Sequence, residues 1–390
     1  MSYGVSHGSL LFRVAMEGTV TLNITYTRSP LSIGILLSLQ LLVGQPLSLQ
    51  AQVVEGSSGS ATNQANAPTN LVVDQGSTHV IDFGAAPVLN LAGDLSNRGT
   101  IYAVSTNHQI TTATVLASNI YNMPGGLITT ILPAGGLPGF NFTVTNLNLT
   151  LNVINNIVNA GIISSAGSLS MMAGGSIVNA LPSGVGGSLP IVSALNDITM
   201  LSQNIVNSGQ ILAQLGNLNA ITANLINNAG LLQALQGNLS VLSSNSAALN
   251  VQNVLGSITA GDQLLLSTLS TVLGDATTSG TPAGISVFGG ALSARNIIFD
   301  SPGNHIGVVA DKLDGSIHVA GKSANLSAGS GDLILGSVAL SGDPVFSSGG
   351  NLDISGLFAS GAHFSTGGGD FIALAGGDIV APTAPVGALI

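Results

Sequence analysis

The sequence predicts an all-β chain wound as a parallel β-helix, a solenoid with coils of about 19–21 residues. Three observations lead there: the composition, a two-part repeat that keeps its internal offset, and an alternating apolar pattern after recurrent glycines. Of 390 residues only 6% are charged, against about 25% in ordinary globular proteins. Hydrophobic residues make up 45%, so the chain lacks the apolar-poor, highly charged composition of disorder. Glycine reaches 52, aromatics are 4%, and tryptophan is absent. Such a chain folds only with a polar but uncharged surface. Stacked strands provide one, with short aliphatic side chains inside and amide and hydroxyl ladders outside.

The first part of the repeat is Asn-x-Gly followed by aliphatic residues. It occurs at Asn97-Arg98-Gly99, Asn159-Ala160-Gly161, Asn207-Ser208-Gly209 and Asn228-Ala229-Gly230, the last two 21 residues apart, with a partial copy at Ile177–Ala180. The second part is Gly-(Asn/Ser/Asp)-(Leu/Phe). It follows eight or nine residues later, at Gly167, Gly216 and Gly237, and recurs at Gly331, Gly350 and Gly369 with spacings of 19 and 19. After each of these glycines apolar and polar residues alternate, as in Leu333 and Leu335 or Leu352 and Ile354, which is the period of a strand with one buried face.

Short strands separated by glycine and asparagine, which tolerate the positive φ of tight corners, close one turn in about 20 residues. Successive turns then pair in parallel, about 4.8 Å apart. Asn97, Gly99, Asn159, Gly161, Asn207, Gly209, Asn228, Gly230, Gly331, Gly350 and Gly369 are the predicted corners, and their asparagines are positioned to stack as amide ladders. The competing reading is helical. Gln263–Gly274 has no internal Gly or Pro, whereas Leu225–Leu242 is interrupted by Gly230 and Gly237, each costing ~1 kcal/mol in a helix.

The chain divides by composition. Residues 1–51 read as a leader: Arg28 precedes the uncharged run Leu31–Val43, a pattern of secretory signals and too short for a comfortable membrane span. Residues 52–69 are a polar, flexible start, 70–276 a first solenoid stretch, 277–284 a turn-rich break, 285–381 a second, more acidic stretch, and 382–390 a tail without the repeat. This organisation predicts a secreted protein, extracellular or on a cell surface.

The phrases at 157–180 (IVNAGIISSAGSLSMMAGGSIVNA) and 205–241 resemble the repeats of filamentous-haemagglutinin-like exoproteins. GDLILGSVALSG at 331–342 and GGNLDISG at 349–356 resemble the related β-strand-repeat surface proteins of bacteria. The resemblance covers residues 90–260 best and 300–380 less closely. It implies a right-handed β-helix, export, and a role in attachment or as a surface stalk. Residues 52–95 lack the Asn-Pro-Asn-type motifs usual in that family's secretion domain.

Chemistry-bearing residues are sparse. A net charge of −10 with six Lys and Arg argues against binding nucleic acid by phosphate neutralisation. The chain has no cysteine, which removes disulfides and thiolate chemistry. Gly4-Val5-Ser6-His7-Gly8 fits a nucleophile motif but follows no strand. Six histidines, His7, His79, His108, His305, His318 and His363, are scattered without metal-ligand spacing. Asp311, Asp332 and Asp353 recur at 21 residues, but the local repeat of 19 makes Asp332 and Asp370 equivalents with Asn351 between them, which is a corner pattern. Glycine-rich Gly367–Phe371 and Gly376–Asp378 do not keep the register of calcium-binding nonapeptides.

The expectation is a non-enzymatic structural or adhesive rod that presents polar faces to host or matrix glycans or surface proteins. It needs no cofactor, metal, nucleic acid or stable membrane span. The alternative is a β-helix polysaccharide lyase or hydrolase using carboxylates of the C-terminal stretch.

Overall fold

The structure is a computed structural model that describes residues 69–141, 143–243, 248–268, 284–359 and 363–382. The leader, Gly4–Gly8, residues 52–68 and 383–390, and most of the 277–284 break lie outside the described residues.

Every strand pairing is parallel, and through most of the chain each strand pairs with the third strand after it, so one coil contributes three faces. Ile157–Asn159, Ile162–Ser165 and Leu169–Ala173 form one coil. Ser176–Asn179, Ile191–Ala194 and Ile198–Leu201 form the next. This is a parallel β-helix, as the repeat predicts. On the first face Ile120, Ile157, Ile177, Ile205 and Leu225 stack in register, all buried. On the third, Leu149, Leu169, Ile198, Leu218, Leu239 and Leu264 do the same. Each such side chain contributes about 1.5–3 kcal/mol by leaving water. Together they build one interior core running between the faces.

The corner between the first and second faces is held by a buried line of amides. Asn97, Asn122, Asn159, Asn179, Asn207, Asn227 and Asn253 are each at most 1% exposed. Each Nδ2 donates to the Oδ1 of the next coil, at 2.8, 2.7, 2.7, 2.7, 2.8 and 2.6 Å in order. The second amide hydrogen reaches a main-chain carbonyl of the next coil, as from Asn159 to Ile191 O at 3.0 Å. Oδ1 also accepts the N–H of the glycine two residues on, as at Gly161 and Gly209. Because those N–H groups only donate, they fix the orientation of every amide they touch. All the dipoles then point the same way, which strengthens the chain of bonds.

Two sequence expectations at this corner are corrected. Asn228 is exposed, and the ladder position opposite Asn207 belongs to Asn227. One extra residue, Ala229 with φ 53°, turns the chain before Gly230, so the sequence spacing of 21 hides a ladder spacing of 20. The second correction concerns the glycines. Gly99, Gly161, Gly209 and Gly230 do not have positive φ. They are glycine because a Cβ would strike the neighbouring coil: Ser77 O and Asp74 O at Gly99, Gly126 O at Gly161, Pro190 O at Gly209, Asn207 Nδ2 at Gly230.

The coil is 20 residues long from Asn159 to Asn179 and from Asn207 to Asn227. Elsewhere it grows to 25, 37, 28 and 26 by insertions at corners, which leave the strand register intact. Gln263–Ser267, the helical candidate, is a strand whose Leu264 pairs with Leu239. Residues 268 and beyond of that candidate lie mostly outside the described residues. Leu249–Gln252 pairs with Ile285–Phe288, so the two stretches form one continuous sheet across the break. Ala291–Ser330 is a single extended run that rounds several corners. Among the described residues no helix is long and apolar enough to cross a membrane.

Near the C-terminus the 19-residue spacing holds once and then fails. Leu333 pairs with Leu352, but Leu352 pairs with Ile379, not with Phe371. The last coil is longer because it carries the 3-10 turn Ser355–Phe358. Gly369 and Asp370 therefore stack on Gly342 and Asp343, and Asp378 stacks on Asn351. Asp332 and Asp370 are not equivalents.

Candidate functional site

The Gly-(Asn/Ser/Asp)-Leu element opens the third-face strands that begin after Gly167, Gly216 and Gly237, and the structure explains all three positions. The Asn, Asp or Ser side chain accepts the main-chain N–H of its counterpart one coil later. Asn148 Oδ1 receives Ser168 N at 2.8 Å, Asp197 Oδ1 receives Asn217 N at 2.7 Å, and Asn217 Oδ1 receives Asn238 N at 2.9 Å. The glycine leaves room for that side chain: a Cβ at Gly167 would strike Asn148 Oδ1, and one at Gly216 would strike Asp197 Oδ1. The leucine points into the core. The same device recurs where Asp332 Oδ1 receives Asn351 N at 2.8 Å beside Gly350. Gly331 differs, with φ 77° and only ordinary van der Waals contact with the Lys312 side chain at its Cβ position.

Two residues beyond each capping position lies a second outward column that these contacts do not use. Thr114, Thr150, Ser170, Thr199, Asn219 and Ser240 stand in register on consecutive coils. Their side chains are half-buried and make no hydrogen bond to another protein group among the described residues. Val88 lies below Thr114 and Leu265 above Ser240, so the polar column has two apolar ends. A third column in register, Leu116, Asn152, Met172, Leu201, Ile221 and Leu242, borders it with mostly aliphatic side chains, of which Ile221 is buried and the others reach the surface. Within the face a shallow depression of about 290 Å³ is lined by Thr112, Asn148, Thr150, Ser168, Ser170, Asp197 and Thr199. Asp197 is its one charged residue, and that carboxylate already accepts Asn217 N–H.

The predicted corner residues fall in several places. Asn97, Asn159 and Asn207 share the buried ladder, Gly99, Gly161, Gly209 and Gly230 flank it, and Gly331, Gly350 and Gly369 lie on the C-terminal coils. The outward column on the third face was missed, although its signal is legible: a short polar residue follows the leucine in Gly167–Ser170, Gly216–Asn219 and Gly237–Ser240.

The carboxylates of the C-terminal stretch do not form one column. Asp353 pairs with Ile334 and caps Ser355 N at 2.8 Å, Asp332 holds Asn351, and Asp311 Oδ2 accepts Gly290 N at 2.9 Å. Burial raises Asp300 above the usual carboxylate range and lowers both His79 and His318 below the usual imidazole range. His318 Nδ1 lies 2.8 Å from Ser337 Oγ, and Nε2 lies 3.4 Å from Asn296 Oδ1. Among the described residues no three His or Asp side chains are grouped to hold a metal ion.

No protein family, curated protein or solved structure matches the chain. The fold itself defines the class: a three-faced parallel β-helix with an internal asparagine ladder.

Proposed function

We propose that this protein is a structural and adhesive solenoid, displayed on or secreted from the cell, that meets glycans or proteins through its third face. The observation that carries this reading is the line from Thr114 to Ser240. Six short polar side chains are held in register, yet among the described residues none of them makes a hydrogen bond to another protein group. The buried asparagines described above are engaged in the corner ladder; these six side chains are left for a partner. The resemblance of 157–180 and 205–241 to haemagglutinin-like repeats supports the same role. The test is an array of glycans and matrix proteins probed with the purified chain and with a Thr150→Val/Thr199→Val variant. Retention of at least one ligand by the native chain, lost in the variant, supports the reading. Absence of any ligand, or identical binding by both, overturns it.

A further inference from the structure

We propose that the third face takes a neutral, extended, β-1,4-linked polysaccharide lying along the solenoid axis, with about one sugar residue over each coil. This rests on the reading that the third face is the binding surface and adds the class and direction of its ligand.

The column from Thr114 to Ser240 repeats a hydrogen-bonding group once per coil, a step of about 4.8 Å, so it runs for about 24 Å. A sugar unit in an extended β-1,4 chain advances by nearly the same distance. A polymer laid along the axis therefore meets the same group at each unit, whereas one laid across the face meets a single coil and then a corner. The side chains suit the two surfaces of a sugar. Hydroxyls and the Asn219 amide face its equatorial hydroxyls. The aliphatic border of Leu116, Met172, Leu201 and Leu242 faces the C–H surface of the ring.

Charge selects among polysaccharides. The depression contains no Lys or Arg and one carboxylate, Asp197, and the whole chain carries −10. Uronate and sulfate polymers meet repulsion with no cation to offset it; a neutral polymer loses nothing. Val88 and Leu265 end the polar column, so the site has a defined length of about six sugar units at one per coil.

The experiment is calorimetric titration of the full chain with cello- and chito-oligosaccharides of two to eight units, alongside oligogalacturonate and heparin oligomers. The expected result is affinity for one neutral series that rises at least tenfold from two units to six and then levels off. It changes little between low and moderate salt and falls at least tenfold in Thr150→Val/Ser170→Ala/Thr199→Val, with the melting temperature of the variant as a folding control. Tighter binding of the acidic oligomers, affinity independent of length, or no binding of either neutral series overturns the proposal. If the array then shows another ligand whose binding the Thr150→Val/Thr199→Val change removes, the binding face stands and only the ligand class falls. Neutral oligomers that bind the triple variant as well as the native chain overturn both.

Discussion

Asn179 accepts a hydrogen bond from Asn159 Nδ2 and donates one to Asn207 Oδ1, each at 2.7 Å, so a single amide joins three coils inside the protein. Replacing it leaves a donor on one neighbour and an acceptor on the other, both buried.

Asn179→Ala is expected to destabilise the fold by about 2–6 kcal/mol, since two orphaned buried groups cost roughly 1–3 kcal/mol each. Urea unfolding followed by circular dichroism measures it. Asn228→Ala is the control. That side chain is exposed beyond the ladder, and its loss is expected to stay within about 0.5 kcal/mol. Equal effects at the two positions would refute the ladder.

The glycines separate steric from conformational causes. Gly209→Ala places a methyl against Pro190 O and Pro190 Cγ, atoms of a neighbouring loop that cannot move without disturbing the register. Gly331→Ala meets only the flexible Lys312 side chain, at 3.8 Å from Cε and 4.0 Å from Cγ, and carries a φ of 77°. The second change is expected to cost about 1–2 kcal/mol, the strain of a left-handed alanine, and the first distinctly more. Comparison of urea midpoints decides; a larger cost at Gly331 would contradict the packing explanation.

The interior predicts a simple volume response. Leu239 is buried between Leu218 and Leu264 in its column. Leu239→Ala is expected to cost about 2–5 kcal/mol, read from the shift in denaturation midpoint. A loss below 1 kcal/mol would show that the coils do not enclose that position.

His318 makes stability depend on pH. Its folded value is lowered from 6.5 by burial, so above that value both states are neutral and no penalty exists. As pH falls below 6.5, the unfolded chain takes up the proton more readily, and stability is lost until the folded imidazole also titrates. His318→Gln is expected to remove part of that acid loss. Asp300 works in the opposite sense: its raised value means stability is lost as pH rises through it, so Asp300→Asn is expected to stabilise at neutral pH and to do nothing in strong acid. Denaturation midpoints in acid and at neutral pH check both. Variants with the same pH slope as the native chain would contradict the burial of these groups.

The solenoid was legible because its core is periodic: alternation after Gly216 and Gly237 names the buried Leu218 and Leu239 directly. The ladder was half legible. Asn97, Asn159 and Asn207 carry Asn-x-Gly, but Asn122, Asn179 and Asn253 lack a glycine two residues on, and Asn227 is hidden by its neighbour Asn228. What the ladder needs is a buried amide with a main-chain donor, and insertions supply that donor in several ways. The C-terminal register was misread for a related reason. Gly-Asp caps look alike whichever corner they occupy, so Gly369 matches Gly350 in sequence while resting on Gly342 in space. The outward polar column of the third face was overlooked because Ser, Thr and Asn look the same in sequence whether they cap a corner or face solvent.

Coils distant in sequence lie directly above one another, and this stacking fixes a measurable distance. Nitroxide labels on cysteines replacing Thr114 and Ser240 sit at the two ends of one column, five coil steps apart. Pulsed electron resonance is expected to give one narrow distribution near 24 Å, five steps of about 4.8 Å. A broad distribution, or a maximum far beyond that distance, would contradict the stacked solenoid.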